Sequence, residues 1–260
     1  MKKSILILTL IVFMMLSFPI GLVTWISDKP QTNELVNHQS DDGLIEKKST
    51  FMSDYRKMSL TSLYDKEEHS FNTMLIVEFL KQPQYKRKDY IGISNSETLI
   101  KHELVKDENG SIYVPVYTFK INISKKFYKY NKVVEEINKE LIYDTENSIY
   151  FNSDGLFIEI DFGKIEEYAK DITSSKDYSK TEVIINGMTL EAKFDLKYTT
   201  TNAATFGGWY AHMQYGCDDV PQNPILEITT GTEYVYFIDK VRENRNFLVE
   251  GLDLYFENLA

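Results

Sequence analysis

The strictest constraint on the fold is the alternation of apolar and polar residues that begins at Met188. The apolar set is Met188, Leu190, Ala192, Phe194 and Leu196, and the polar set is Thr189, Glu191, Lys193, Asp195 and Lys197. A period of two places each set on its own face of a β-strand. The pattern therefore predicts a long strand with one buried face and one wet face. The preceding pair Asn186–Gly187 is favoured in type I′ turns, so we expect a hairpin there.

Other segments extend this sheet. Residues 112–124 alternate again, with Pro115 marking an edge or a bulge, and residues 156–162 and 246–260 each contain a strand. Residues 224–238 predict a second hairpin, around Thr230–Gly231. The apolar run 71–83 fits either a buried strand or a buried helix, because periodicity alone does not separate them. The total is seven to nine strands, mostly antiparallel.

Two segments have helical spacing instead. Residues 125–144 place Tyr130, Val133, Val134, Ile137 and Leu141 at such intervals, and residues 163–172 form a shorter amphipathic pattern. The predicted fold class is therefore α+β: an N-terminal transmembrane helix followed by a mainly antiparallel β-sheet domain with two or three helices.

The N-terminus carries a long uncharged run. Lys2 and Lys3 precede the 23 residues from Ser4 to Ile26, which as a helix span about 35 Å and so cross a bilayer. Lysines before the run predict a cytoplasmic N-terminus and an outer C-terminal domain. Residues near Gly21 and Ser27 lack an A-x-A cleavage pattern. We favour an uncleaved anchor in membrane lipid, and secretion after cleavage is the alternative.

The anchor divides the chain into four parts. Residues 1–3 form a cytoplasmic tip, residues 4–26 the membrane helix, residues 27–50 a polar tether, and residues 51–260 an extracytoplasmic domain. A subdomain boundary could fall near residues 144–147. The chain is thus predicted to be a single-pass protein of the cell membrane.

Charge and composition exclude several functions. The formal net charge of −10 disfavours nucleic acid as a partner. One cysteine excludes an intramolecular disulfide and a Cys-cluster metal site. Phosphate-binding glycine motifs are absent from the sequence, so we expect no nucleotide cofactor. His69 has acidic neighbours that could bind a cation, but a charged helical face is the more common explanation, and we expect no metal.

The stretch from Phe206 to Pro224 contains the candidate site residues. One hypothesis is a thiol nucleophile, Cys217, activated by His212 with Asp218 orienting the imidazole. Against it, residues five apart on a strand face opposite sides, and neighbouring aspartates disfavour a thiolate. The alternative is an aromatic strand that exposes a binding patch. That patch consists of Phe206, Trp209, Tyr210 and Tyr215.

Two functions follow from these observations. The favoured one is a membrane-anchored binding or assembly protein without its own catalytic chemistry, whose partner is a protein or an envelope component. Tyrosine-rich strands suit such a role, because tyrosine gives a large contact area at low entropic cost. The alternative is an envelope thiol hydrolase that uses Cys217 and His212.

Overall fold

Fifteen β-strands and one short α-helix account for nearly all the secondary structure that a computed structural model describes. The described residues are 36–39, 44–83, 88–95, 99–101, 104–107, 110–113, 116–145, 148–152, 155–196, 200, 202–213 and 247–259. The strands are β1 Val36–Gln39, β2 Leu44–Met52, β3 Arg56–Asp65, β4 Ser70–Phe79, β5 Lys88–Asn95, β6 Leu99–Lys101, β7 Leu104–Asp107, β8 Gly110–Tyr113, β9 Val116–Lys129, β10 Lys132–Ile142, β11 Ile149–Asn152, β12 Gly155–Asp161, β13 Lys180–Leu196, β14 Ala203–Met213 and β15 Phe247–Glu257.

These strands form two large antiparallel sheets. In the first sheet the order is β1-β2-β3-β4-β13-β9-β10, with β6 also pairing to β13, and in the second it is β11-β12-β5-β14-β15. A separate pair is formed by β7 and β8. The mainly antiparallel architecture agrees with the prediction. The alternating strand that begins at Met188 becomes the second half of β13, near the middle of the first sheet.

The two sheets pack face to face over a shared aromatic and aliphatic core. The ring of Phe206 in β14 lies 5.0 Å from Phe71 in β4 and 5.6 Å from Phe194 in β13, measured between centroids. Leucine side chains of the first sheet pack directly against Gly208 of β14, where an added Cβ would lie 2.9 Å from Leu75 Cδ1 and 3.0 Å from Leu60 Cδ1. Only glycine fits this contact without moving core side chains. The arrangement is a β-sandwich.

The predicted hairpin at Asn186–Gly187 is wrong. Strand β13 passes straight through this pair, and its pairing with β9 shifts register between Ile185 and Gly187. This is the signature of a β-bulge, in which the extra residue, Asn186, is exposed. The glycine is needed for a close approach rather than for a turn, since a Cβ there would lie 2.8 Å from the Val77 carbonyl oxygen.

The predicted helix over residues 125–144 is also wrong, because these residues form the hairpin of β9 and β10. The chain turns at Tyr130 and Asn131, whose φ angles of 50° and 60° match the two left-handed positions of a type I′ turn. A register shift between Val133 and Glu135 inserts one extra residue into β10. That insertion breaks the period of two, so the apolar residues acquire spacings that resemble those of a helix.

The shorter predicted helix is confirmed. Helix α1 spans Phe162–Tyr168 and continues as a 3-10 turn over Ala169–Asp171. Asp161 caps it, since its Oδ1 accepts from the Gly163 amide at 2.8 Å. Two or three helices were expected, and only this one α-helix occurs among the residues given above. Buried Lys125 of β9 fixes the 3-10 turn by donating to the carbonyl oxygens of Ala169 and Ile172 at 2.6 and 2.8 Å.

Strand β2 corrects the predicted tether of residues 27–50. Residues from Leu44 onward pair with β3 along their whole length, from Leu44 opposite Asp65 to Met52 opposite Lys57. The tether therefore does not extend through these residues, and the sheet begins before residue 51. The run 71–83, which fitted a helix or a strand, contains strand β4.

Several predictions lie outside the described residues. These are the membrane segment 4–26 and the hairpin within residues 224–238. In the portion of the chain that the structure does describe, no helix has the length and apolar character needed to cross a bilayer. The described strands all belong to one compact unit, Thr32–Ala260.

Candidate functional site

The exposed aromatic patch predicted within residues 206–215 is not formed. Phe206, Trp209 and Tyr210 are at most 3% exposed. Successive residues of β14 alternate between its faces, so Phe206 and Tyr210 enter the core between the sheets while Trp209 points to the other side, 5.9 Å from the Phe157 ring. Tyr215 lies outside the described residues. The prediction of exposure is therefore wrong for these three side chains.

His212 belongs to a buried polar cluster rather than to an open cleft. Its Nδ1 lies 2.9 Å and 3.1 Å from the two carboxylate oxygens of Asp89 in β5. The Tyr210 hydroxyl donates to the same carboxylate. Burial raises the pKa of Tyr210 well above its ordinary value, and the nearby Asp89 charge raises it further. Tyr210 therefore keeps its proton and remains a donor to Asp89.

The other half of the cluster joins the two sheets. Arg56 at the start of β3 donates from Nε to Glu250 of β15, which lies opposite Tyr210 in the second sheet. The Arg56 guanidinium carbon lies 4.9 Å from the centroid of the Tyr210 ring. Arg56 and Glu250 are both less than 10% exposed. Arg56 Nη2 is buried and has no hydrogen-bond partner. Arg56 of the first sheet thus contacts both the Glu250 carboxylate and the Tyr210 ring of the second sheet.

The sequence predicted only part of this cluster. Asp89, Arg56 and Glu250 were not among the candidate residues, because their partners are distant in the chain. The sequence nevertheless contains a pattern that could have identified them. Each of the three charged residues stands two positions before a buried apolar residue of the same strand, so its side chain lies on the same face. Asp89 precedes Ile91, and Arg56 and Glu250 hold the same position relative to Met58 and Leu252. A charged residue on the core-facing side of a strand is almost never buried without a partner, so this position indicates a buried ion pair.

The structure tests the Cys–His hypothesis only at the histidine. Cys217 and Asp218 lie outside the described residues. The carboxylate that contacts His212 Nδ1 is Asp89, in a different strand. Among the side chains that are described, no three His, Cys, Asp or Glu residues lie together as a metal site would require.

A different feature is accessible: the outer edge of strand β10. The Tyr143 amide donates to the Phe119 carbonyl oxygen at 3.1 Å, which continues the β9–β10 ladder. Hydrogen-bonded residues alternate along an antiparallel strand, so Leu141, Lys139 and Ile137 also bond to β9. The backbone groups of the intervening residues point away from the sheet. These intervening residues are Glu136, Asn138, Glu140 and Ile142.

Other parts of the sheet edges are partly covered. Lys176 Nζ donates to the Val134 carbonyl oxygen at 2.8 Å, beside the start of β10. On strand β15, at the edge of the second sheet, Lys47 Nζ donates to the Tyr255 carbonyl oxygen at 2.8 Å. Residues 136–142 have no strand beyond them among the described residues. Ile142, at the end of this segment, is 77% exposed.

Comparisons with known proteins leave the family open. No protein-family model matches the chain, and no characterised protein matches it in sequence. Among solved structures, the collagen-binding domain of a Staphylococcus aureus adhesin is 9% identical, with a TM-score of 0.31 over 64% of this chain and 91% of its own. The Clostridium perfringens delta-toxin is 8% identical, with a TM-score of 0.32 over 85% of this chain and 96% of its own. At TM-scores this low, neither likeness carries an argument about this chain.

The buried cluster predicts an asymmetric response to mutation. Glu250→Gln removes the charge that balances buried Arg56, and we expect it to lower the free energy of unfolding by about 3–5 kcal/mol. The double variant Arg56→Met/Glu250→Leu removes both charges and should recover most of that loss. Urea denaturation of the full chain measures both effects.

The matched control is the exposed pair of Lys57 and Glu78, which are 3.5 Å apart and about half exposed. Glu78→Gln should cost less than about 1 kcal/mol. If Glu250→Gln costs no more than Glu78→Gln, the Arg56–Glu250 pair does not stabilise the contact between the two sheets.

Proposed function

We propose that this chain is a membrane-anchored extracytoplasmic protein that binds or assembles with another protein, without catalytic chemistry of its own. The partner contributes an extended segment that pairs with β10 and adds a strand to the first sheet. The observation that carries this proposal is the outward-facing backbone of residues 136–142. The anchor rests on the uncharged run from Ser4 to Ile26.

Strand addition suits this edge for a physical reason. Each outward-facing residue presents one donor and one acceptor, and an added strand satisfies them in a regular ladder. The hairpin that contains β10 is fixed to the rest of the domain, because Lys125 of β9 hydrogen-bonds to the 3-10 turn that follows α1. A fixed edge has less entropy to lose on binding than a mobile one.

The side chains of β10 give the pairing selectivity. Glu136, Lys139 and Glu140 are exposed charges on the strand. Charged side chains on an exposed edge strand disfavour nonspecific strand pairing, including pairing with other copies of this chain. Exposed Ile142 supplies an apolar contact at the end of the segment. A partner strand that places opposite charges beside this row would be preferred.

A proline at an outward-facing position tests this proposal. Glu140→Pro removes the outward N–H and places the pyrrolidine ring where a partner strand would lie, while the bonds between β9 and β10 remain. We expect it to abolish partner capture in crosslinking and affinity purification from the membranes that contain the protein. Glu140→Ala is the matched control, because both variants lose the ion pair to Lys120, in which Lys120 Nζ and Glu140 Oε1 are 3.0 Å apart.

The comparison between the two variants decides the outcome. The proposal expects Glu140→Ala to keep the crosslinked partner and Glu140→Pro to lose it, with equal unfolding midpoints. Retention of the same partner by Glu140→Pro would contradict strand addition at β10.

A second candidate function is the thiol hydrolase. One contact favours it: a carboxylate on His212 Nδ1, here from Asp89, is the orienting interaction that a Cys–His pair needs. In that case Cys217 would be the nucleophile and His212 its base.

The reactivity of the cysteine discriminates this candidate. A thiol activated by histidine is alkylated rapidly by iodoacetamide near pH 6 to 7, because its pKa is depressed. We expect instead that Cys217 is alkylated at pH 6 no faster than the thiol of a free cysteine derivative. Rapid alkylation at pH 6 that is lost in Cys217→Ala and slowed in His212→Gln would favour the hydrolase and contradict the binding proposal.

A further inference from the structure

The end of the β9–β10 hairpin carries an unusual concentration of exposed aromatic and basic side chains. We define the hairpin tip as residues 128–133 together with residues 176–180, which pack beside them. Ser179 joins the two segments by donating from its amide and its hydroxyl to the Tyr128 carbonyl oxygen, at 2.7 and 3.2 Å. Lys129 Nζ joins them again at 2.6 Å from Asp177 Oδ2. The tip is thus a connected surface rather than a free loop.

Tyr130 occupies a backbone position that its side chain disfavours. Its φ of 50° lies in the left-handed region, where glycine, asparagine and aspartate are preferred and a bulky residue is strained. The side chain is 85% exposed, so burial does not compensate for this strain. The fold alone gives no reason for a tyrosine at this turn. Strain retained at an exposed position points to a contact with something outside the chain.

Other exposed apolar and aromatic side chains surround Tyr130. Val133 and Tyr178 are 48% and 44% exposed. Lysine side chains lie over two of the rings, with Lys129 Nζ 5.7 Å from the Tyr130 centroid and Lys180 Nζ 5.8 Å from the Tyr128 centroid. Amphipathic tyrosine rings and lysines on flexible stems are the side chains that accumulate at a membrane–water interface.

The charge of the tip is opposite to that of the whole chain. The tip has four lysines against one acidic residue, Asp177, whereas the chain has a formal net charge of −10. These lysines are Lys129, Lys132, Lys176 and Lys180. Glu182 lies just beyond the tip and accepts a hydrogen bond from the Tyr128 hydroxyl at 2.5 Å. A local positive surface on an acidic protein is complementary to an anionic partner.

A second group of exposed apolar side chains lies toward the same end of the first sheet. Met52, Tyr55 and Leu80 are each about half exposed, and Lys81 Nζ lies 4.9 Å from the Tyr55 centroid. This group and the hairpin tip lie toward the same end of the sheet because β4 and β9 flank β13 on its two sides. Both strands are antiparallel to β13 and run toward its N-terminal end. Of the nine large apolar side chains that are exposed among the described residues, six lie at this end.

We propose that the hairpin tip docks on an anionic phospholipid surface, with the rings of Tyr128, Tyr130 and Tyr178 at the level of the headgroups and the lysines on the phosphates. An exposed turn with tyrosines around it suits a soft, planar partner, which accommodates these side chains without a matching pocket. Each lysine near an anionic surface contributes about a fivefold gain in affinity. This contact does not depend on strand addition at β10.

The test uses the full chain in vesicles of neutral phosphatidylcholine, with and without phosphatidylglycerol. A polarity-sensitive fluorophore is attached at Val133→Cys in a Cys217→Ala background, which leaves every tyrosine and lysine of the tip in place. Ile142→Cys, at the other end of the same strand and 77% exposed, is the matched control. We expect a blue shift, and quenching by brominated acyl chains, for the label at 133 on anionic vesicles only. The shift should reverse at about 0.5 M salt.

Two variants locate the contact within the tip. Tyr130→Gly should fold at least as stably, because glycine accepts the positive φ, and it should lower the quenched fraction several-fold. Lys129→Glu/Lys132→Glu should abolish the salt-sensitive part of the signal. Equal signals from the label at 133 on neutral and anionic vesicles, or an equal shift at 142, would overturn the proposal.

A measurement on the unlabelled wild-type chain covers the case in which a labelled variant does not fold. Tryptic cleavage after Lys129 and Lys132 should slow several-fold on anionic vesicles relative to neutral ones, while cleavage after Lys139 is unchanged. Unaltered cleavage after Lys129 and Lys132 would contradict lipid docking. Equal protection by soluble polyphosphate would also overturn it, because the tip would then bind polyanions rather than a lipid surface. Neither result bears on the Glu140→Pro comparison, so the two proposals fail separately.

Discussion

Face-to-face packing of two antiparallel sheets is the constraint on which the rest of this structure depends. Aromatic and aliphatic side chains fill the interface, and Gly208 leaves room for the side chains of Leu60 and Leu75 in the facing sheet. At one end the apolar contact is replaced by a polar one, where Arg56 of the first sheet meets Glu250 and the Tyr210 ring of the second. A buried charge is tolerated only where its partner is fixed, so this contact restricts how the two sheets can slide past one another.

His212 belongs to the same polar cluster through Asp89. Its partner Asp89 lies 123 residues away in the chain, and both are placed by strands of the second sheet. Asp89 also accepts from Tyr210, so one carboxylate serves two neighbours on β14. The cluster is thus a continuous chain of contacts from Arg56 to His212. Its geometry is that of a structural element that joins the sheets.

Local pattern predicted much of the fold and failed where a bulge or a distant partner decided the outcome. The alternation after Met188 predicted the buried row of β13, and the helix at residues 163–172 was confirmed. The Asn186–Gly187 pair and the segment 125–144 were misread because a β-bulge shifts the period of two in each. A bulge is stabilised by neighbouring strands, which local sequence does not specify. The binding patch failed for a related reason, since the burial of Phe206 and Tyr210 depends on the facing sheet.

The two proposed contacts use different parts of one hairpin. The turn presents tyrosines and lysines, and the far half of β10 presents backbone groups that no other described strand pairs with. A hairpin that is paired to β13 along β9 and held by the hydrogen bonds of Lys125 can keep both surfaces in a constant relation. A protein anchored at its N-terminus, as the uncharged run from Ser4 to Ile26 predicts, would then meet lipid with the turn and a partner protein with the strand.

Residue-resolved amide hydrogen exchange of the full chain tests most directly whether the edge of β10 is open. An open edge predicts an alternating pattern, with slow exchange at Ile137, Lys139 and Leu141, whose amides bond to β9, and fast exchange at Asn138, Glu140 and Ile142. Equal protection of both sets would contradict it, because the outward-facing amides would then already have partners.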